Sequence, residues 1–102
     1  MQTHRRKKIE VIVEAAVAPA ITALLDENGV SGYTVLPTLA GKGQAGRRAA
    51  SGVIGGMDSV MIVAIVGDAA WQRISAGIYE LLRDYSGIVV LSDVDVLRGE
   101  RF

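Results

Sequence analysis

Not one cysteine and only one histidine, His4, occur among the 102 residues. Disulfides and thiolate metal sites are therefore excluded, and a transition-metal centre lacks the imidazole partners it needs. A nucleophilic triad is equally out of reach, because His4 lies in THRRKK, part of a stretch over residues 1–7 that reads as a solvated basic tail. No apolar run reaches the roughly 18 residues of a membrane span, and no leader pattern is visible, so a cytoplasmic protein is expected. Neither sign of charge is in excess: 11 basic and 11 acidic residues cancel. Nucleic-acid binding, which draws much of its affinity from a basic surplus, is not expected.

The hydrophobic half of the composition is enough for one globular domain with a modest core. KIEVIVE, residues 8–14, alternates apolar and polar residues and predicts a first strand. A helix follows, with Pro19 in its first turn and Val17, Ile21, Leu24 and Leu25 on one face. Asn28-Gly29 supplies the left-handed stop. SGYTVLPTL, residues 31–39, predicts a second strand, and Pro37 marks an edge or a bend.

SVMIVAIVG, residues 59–67, is a continuous apolar run expected as a central strand buried on both faces. Asp68 is placed to cap a second helix, with Trp71, Ile74, Ile78, Leu81, Leu82 and Tyr85 as its buried stripe. IVVLSDVDVL, residues 88–97, predicts the last strand. The order β-α-β-β-α-β is the ferredoxin-like, α+β arrangement, a four-stranded antiparallel sheet with two helices on one face. Its other face must be wet or packed, and a closed cyclic oligomer packs it economically. RNA-binding modules of this topology stack bases on aromatic residues of central strands, and residues 59–66 contain none.

Between the second and third expected strands lies TLAGKGQAGRRAASGVIGGM, residues 38–57. It holds six of the twelve glycines, Lys42, Arg47 and Arg48, and no acid. Two readings stay open for it, a solvated connection and an anion-binding loop. Glycines let backbone N–H groups converge into a nest, and arginine grips an oxyanion with a planar fork. GKG is not a Walker motif, which needs GxxxxGK followed by serine or threonine. A connection this long is uncommon in a compact domain unless it functions or is disordered. The carboxylate pairs Asp26-Glu27 and Asp93/Asp95 read as solvated surface rather than as acid/base dyads.

ENGVSGYTVLPTLAGKG together with LRDYSGIVVLSDVDVL resembles the PII-like signalling proteins, in the branch associated with bicarbonate transport and carboxysomes. The resemblance spans nearly the whole chain. It implies a non-enzymatic homotrimer with adenine nucleotides in the clefts between neighbours, and residues 40–57 as the mobile T-loop that carries the output. Carried over by motif, Thr34 lies at the adenine end, and Gly41, Lys42 and Gly43 form the loop base near phosphate. Arg47 and Arg48 are implied as phosphate-binding, and Gly87, Ile88 and Val89 line the adenine from their side.

The departures narrow the ligand. Nitrogen-regulatory members carry TGxxGDGK before the last strand to hold ATP phosphates, where this chain has the short DYSG. They also modify a T-loop tyrosine, absent from residues 40–57, and use a lysine where this chain reads GGMDSV. ATP-dependent 2-oxoglutarate sensing is therefore not implied, and ADP, AMP or cyclic AMP fit better than ATP. Transporter-associated members can extend into a cysteine-containing tail where this chain reads RGERF. That tilts the expectation towards carboxysome-associated relatives, with ADP or AMP and bicarbonate as ligands and a bicarbonate transporter or carboxysome-associated protein as partner. The alternatives are a cyclic-AMP and adenylate sensor acting on a bicarbonate transporter, and a non-sensing structural oligomer.

Overall fold

Three apolar residues at every second position, Ile9, Val11 and Val13, give the longest strand its buried side. That strand, β1, runs His4–Glu14. In the computed structural model, which describes residues 1–38, 40–43, 46–49 and 58–102, it is followed by α1 (Ala18–Glu27), β2 (Tyr33–Pro37), β3 (Ala40–Gly43) and β4 (Gly46–Ala49). Then come β5 (Ser59–Val66), α2 (Asp68–Leu82), β6 (Gly87–Val96) and a short 3₁₀ turn, Gly99–Arg101. Strands β2, β5, β1 and β6 form one antiparallel sheet in that order, and β3 pairs with β4 as a separate hairpin. This is the ferredoxin-like α+β fold expected from the element order.

Directly opposite residues of an antiparallel pair share a face. The register Val11↔Ile62 and Val11↔Val89 therefore sets one side of the sheet, where Ile9, Val11, Val13, Ile62, Ala64 and Val66 are buried. Helix α1 covers that side with Ala18, Ile21 and Leu25, and α2 with Ile74 and Ile78. Each fully buried Val, Leu or Ile contributes about 1.5–3 kcal/mol of transfer free energy. Gly29, at φ 74°, ends α1 as expected: its N–H bonds Asp26 O at 3.1 Å, and Val30 N–H bonds Leu25 O at 3.1 Å.

Four expectations are corrected. The first strand starts at His4 rather than Lys8, so residues 4–7 are not tail. Arg5 and Lys7 stand opposite Asp95 and Asp93 and pair with them at 3.0 and 2.6 Å, extending the ladder through an all-polar stretch. Gly67, not Asp68, is the N-cap of α2, and Asp68 lies in the first turn, where a negative charge suits the helix dipole. Tyr85 falls beyond the helix and is exposed. Strand β5 is central, but its apolar residues are fully buried only at Ile62, Ala64 and Val66 on the helix side; Met61, Val63 and Ile65 on the other side are half-buried.

That other side carries two cross-strand rows, Leu36–Met61–Ile12–Ile88 and Thr34–Val63–Glu10–Val90. Leu36, Ile88 and Val90 on this side are 39%, 56% and 44% exposed.

Gly87, where β6 begins, has no room for a side chain. A Cβ there would stand 2.9 Å from Val13 Cγ1, 3.2 Å from Ile12 O and 3.3 Å from Leu82 Cδ2. Gly87→Ala is expected to cost about 1–3 kcal/mol by overpacking, lowering the melting temperature of a domain this size by ~4 °C or more. An unchanged melting curve would mean that β6 enters the sheet differently.

Candidate functional site

The basic loop leaves and re-enters the sheet at one point. Thr38 N–H donates to Ser59 O at 3.2 Å, its hydroxyl lies 3.0 Å from both Ser59 O and Ser59 Oγ, and Ala15 N–H donates to Asp58 O at 2.8 Å. Asp58 Oδ1 is buried at this foot without a hydrogen-bond partner among the described residues. Beyond the foot, the β3–β4 register sets Lys42 opposite Arg47 and Gly41 opposite Arg48. Hairpin pairing inside the segment expected as the T-loop is a difference from the sequence reading, which shows only glycine and charge there. Leu39, expected at the end of the second strand, and loop positions 44, 45 and 50–57 lie outside the described residues.

The remaining site candidates divide between the two edges of the sheet. Thr34 is exposed on β2, one edge strand, and Gly87, Ile88 and Val89 are exposed at the start of β6, the other. With β5 and β1 between them, the two edges stand three interstrand spacings apart, about 14 Å. One protomer therefore does not bring them to a common ligand.

A groove of 370 Å³ that the sequence reading missed lies near the β2 edge. Ser31 and Gly32, just ahead of Tyr33-Thr34, line it together with Arg98, Arg101 and Phe102. The C-terminal turn reaches this place because Ser31 Oγ donates to Arg101 O at 2.6 Å. Arg98 Nε rests 3.8 Å from Glu100 Oε1. The available sequence signal was two arginines three apart in the closing RGERF region; nothing local ties them to Ser31, 70 positions away.

Asp26, Asp93 and Asp95 each have a polar partner within the protomer. Asp26 Oδ2 accepts the Tyr33 hydroxyl at 3.3 Å. Lys7 Nζ donates to Asp93 Oδ1 at 2.6 Å; this bond holds the Asp93 carboxyl below its ordinary range and the Lys7 ammonium above its own. Because the folded Asp93 value is depressed, the pair's contribution is present above the unfolded value of about 3.9 and is lost as pH falls through the lower folded value. The melting-temperature gap between the wild type and Asp93→Asn is thus expected to be small at pH 7, as for exposed pairs generally, and to close below pH 4. A gap that widens in acid would contradict the pairing.

Residues 6–101 match the family model for nitrogen regulatory protein P-II. No curated protein sequence matches the chain. Among solved structures, the chain is similar to CPII from Thiomonas intermedia K12, a nitrogen regulatory PII-like protein bound there to ADP, AMP and bicarbonate. Identity is 32%, with 99% of this chain and 96% of that one covered and a TM-score of 0.90. The apo form of CPII aligns with 30% identity, 93% and 95% coverage and a TM-score of 0.73. A PII-like signalling protein from Thermus thermophilus shares the fold at 23% identity, 100% and 99% coverage and a TM-score of 0.84. The ferredoxin-like sheet, the pinned basic loop and a family match over nearly the whole chain agree: this protein belongs to the nitrogen regulatory protein P-II family.

Proposed function

We propose that the chain is a non-enzymatic PII-like sensor, a homotrimer that binds ADP or AMP, together with bicarbonate, in the clefts between neighbouring protomers. The observation that carries this reading is the division of Thr34 and Gly87–Val89 between opposite edges of one sheet. A neighbour that sets its β6 edge beside the β2 edge brings both groups to one ligand. The exposed apolar rows of the open face supply the surface for such an assembly.

Phosphate chemistry fits the same place. Lys42 and Arg47 are directly opposite in register, so two cationic positions stand together at the loop, a pairing that suits an anion. Gly41 and Gly43 complete the loop base with Lys42, Arg48 is the second phosphate-binding arginine, and Arg98 and Arg101 stand in the groove near the Thr34 edge. Bicarbonate keeps an O–H donor that a simple carboxylate lacks, so it can donate to a nucleotide phosphate while accepting from arginine or loop N–H groups. CPII, at 32% identity, is bound to ADP, AMP and bicarbonate, which supports the same ligand class here.

Residues 40–57 then act as the T-loop. Ligand binding offsets the cost of ordering the segment and shifts the surface it presents to a partner in inorganic-carbon metabolism, a bicarbonate transporter at the membrane's inner face or a carboxysome-associated protein. This reading sets the sensor in the cytoplasm.

Calorimetric titration of ADP with and without bicarbonate tests this reading. The expected result is tighter ADP binding with bicarbonate, and by linkage an equal tightening of bicarbonate by ADP. Equal affinities would remove bicarbonate from the account. A preference for cyclic AMP would favour the transporter-regulating alternative, and no binding of any adenylate would leave a structural oligomer.

A further inference from the structure

We propose that Arg6 is a positioning residue for the anion-binding side of the nucleotide site: it clamps the C-terminal turn so that Arg98 and Arg101 face the groove. The proposal rests on the nucleotide reading above and adds to it a residue that touches no ligand. All three nitrogens of the Arg6 guanidinium are engaged. Nε donates to Phe102 O at 3.1 Å, Nη2 to Gly99 O at 2.9 Å and Nη1 to Arg5 O at 2.8 Å. One planar fork thus ties β1 to two carbonyls of the turn, from 93 and 96 positions away.

Two further contacts fix the same turn. Ser31 Oγ holds Arg101 O at 2.6 Å from the β2 side, and Gly99, buried, lies so close to His4 that an added Cβ would collide with the imidazole. The backbone from Gly99 to Phe102 is therefore tied down at three carbonyls, while Arg98, Arg101 and Phe102 line the groove with Ser31 and Gly32. A single 3₁₀ turn with so little packing of its own frays without such ties. Two frayed arginines would have to be ordered by the ligand at binding, which weakens affinity without removing a single ligand contact. Lysine cannot replace the clamp, because a single ammonium does not reproduce the fork.

The test compares the full chain with Arg6→Ala, Arg6→Lys, the double variant Arg98→Ala/Arg101→Ala, and the triple variant that adds Arg6→Ala. ADP is titrated by calorimetry, and amide exchange is followed at Arg101 and Phe102, whose N–H groups bond Arg98 O and Gly99 O. Arg6→Ala is expected to weaken ADP about tenfold and Arg6→Lys nearly as much, with faster exchange at both amides. In the Arg98→Ala/Arg101→Ala background the same Arg6→Ala change is expected to cost no further affinity, whereas a general structural effect would persist there. Undiminished ADP affinity of Arg6→Ala, or an equal loss in both backgrounds, would overturn the positioning role. A wild-type chain that binds no ADP would instead refute the nucleotide reading and, with it, the ligand half of this proposal; exchange unchanged by Arg6→Ala would refute the clamp itself.

Discussion

Ile12→Asp is expected to convert the proposed trimer into single protomers and to lower ADP affinity on the order of 100-fold or more, because each protomer would then keep only one of the two sheet edges that the proposed site needs. Ile12 stands at the middle of the open face, with Met61 opposite it on β5 and Ile88 opposite it on β6. Losing the isoleucine removes about 1.5–3 kcal/mol of apolar burial per copy. The aspartate adds the larger cost of an unpaired carboxylate against apolar neighbours. In the proposed trimer, cyclic symmetry would repeat both in every subunit.

The protomer itself should survive the change. The core lies on the other face of β1, with Ile9, Val11 and Val13, and Ile12 is already half-buried rather than sealed. Light scattering at micromolar concentration, with circular dichroism to confirm the fold, reads the outcome. A variant that keeps the wild-type mass would show that the open face is not the interface, and the division of site residues between two edges would lose its explanation.

Arg47→Ala combined with Arg48→Ala is expected to weaken ADP about 10- to 100-fold and to leave the oligomer intact. Each charge-assisted hydrogen bond to phosphate is worth about 1.5–3 kcal/mol, so the loss of a single full contact already reaches this range. The two positions stand on β4, opposite Lys42 and Gly41, in a hairpin separate from the four-stranded sheet that carries the core. AMP, with one phosphate fewer, is expected to lose less than ADP. Calorimetric titration of both nucleotides checks this. Unchanged ADP affinity would move the phosphate role from the loop to the C-terminal pair, Arg98 and Arg101.

Where local pattern determines structure, the fold was legible in the sequence. Alternation marked the apolar half of β1, the unbroken apolar run marked β5, and Gly29 marked the end of α1; Pro37 allowed an edge or a bend, and β2 is an edge strand. The polar half of β1 was not legible, because HRRKK has no apolar alternation; its strand identity comes from Asp93 and Asp95 across the ladder. Tyr85 fitted the helical spacing of α2, but the helix ends at Leu82. The β3–β4 hairpin was hidden because glycine-rich stretches carry little strand preference.

The candidate site shows the same boundary. Motif resemblance singled out Thr34 and Gly87–Val89, and only the strand order places them on opposite edges. The groove of Ser31, Gly32, Arg98, Arg101 and Phe102 is built from contacts that span most of the chain, and no periodicity reports such contacts. Arg6 read as part of a solvated tail for the same reason: its partners, Gly99 O and Phe102 O, are at the far end of the sequence.

The central claim, an adenine-nucleotide sensor responsive to bicarbonate, is tested most directly by a thermal-shift panel of AMP, cyclic AMP, ADP and ATP, each with and without bicarbonate. A ligand that binds only the native state raises its melting temperature. The account predicts stabilisation by ADP or AMP that grows when bicarbonate is added, and melting temperatures unmoved by all four nucleotides would contradict it.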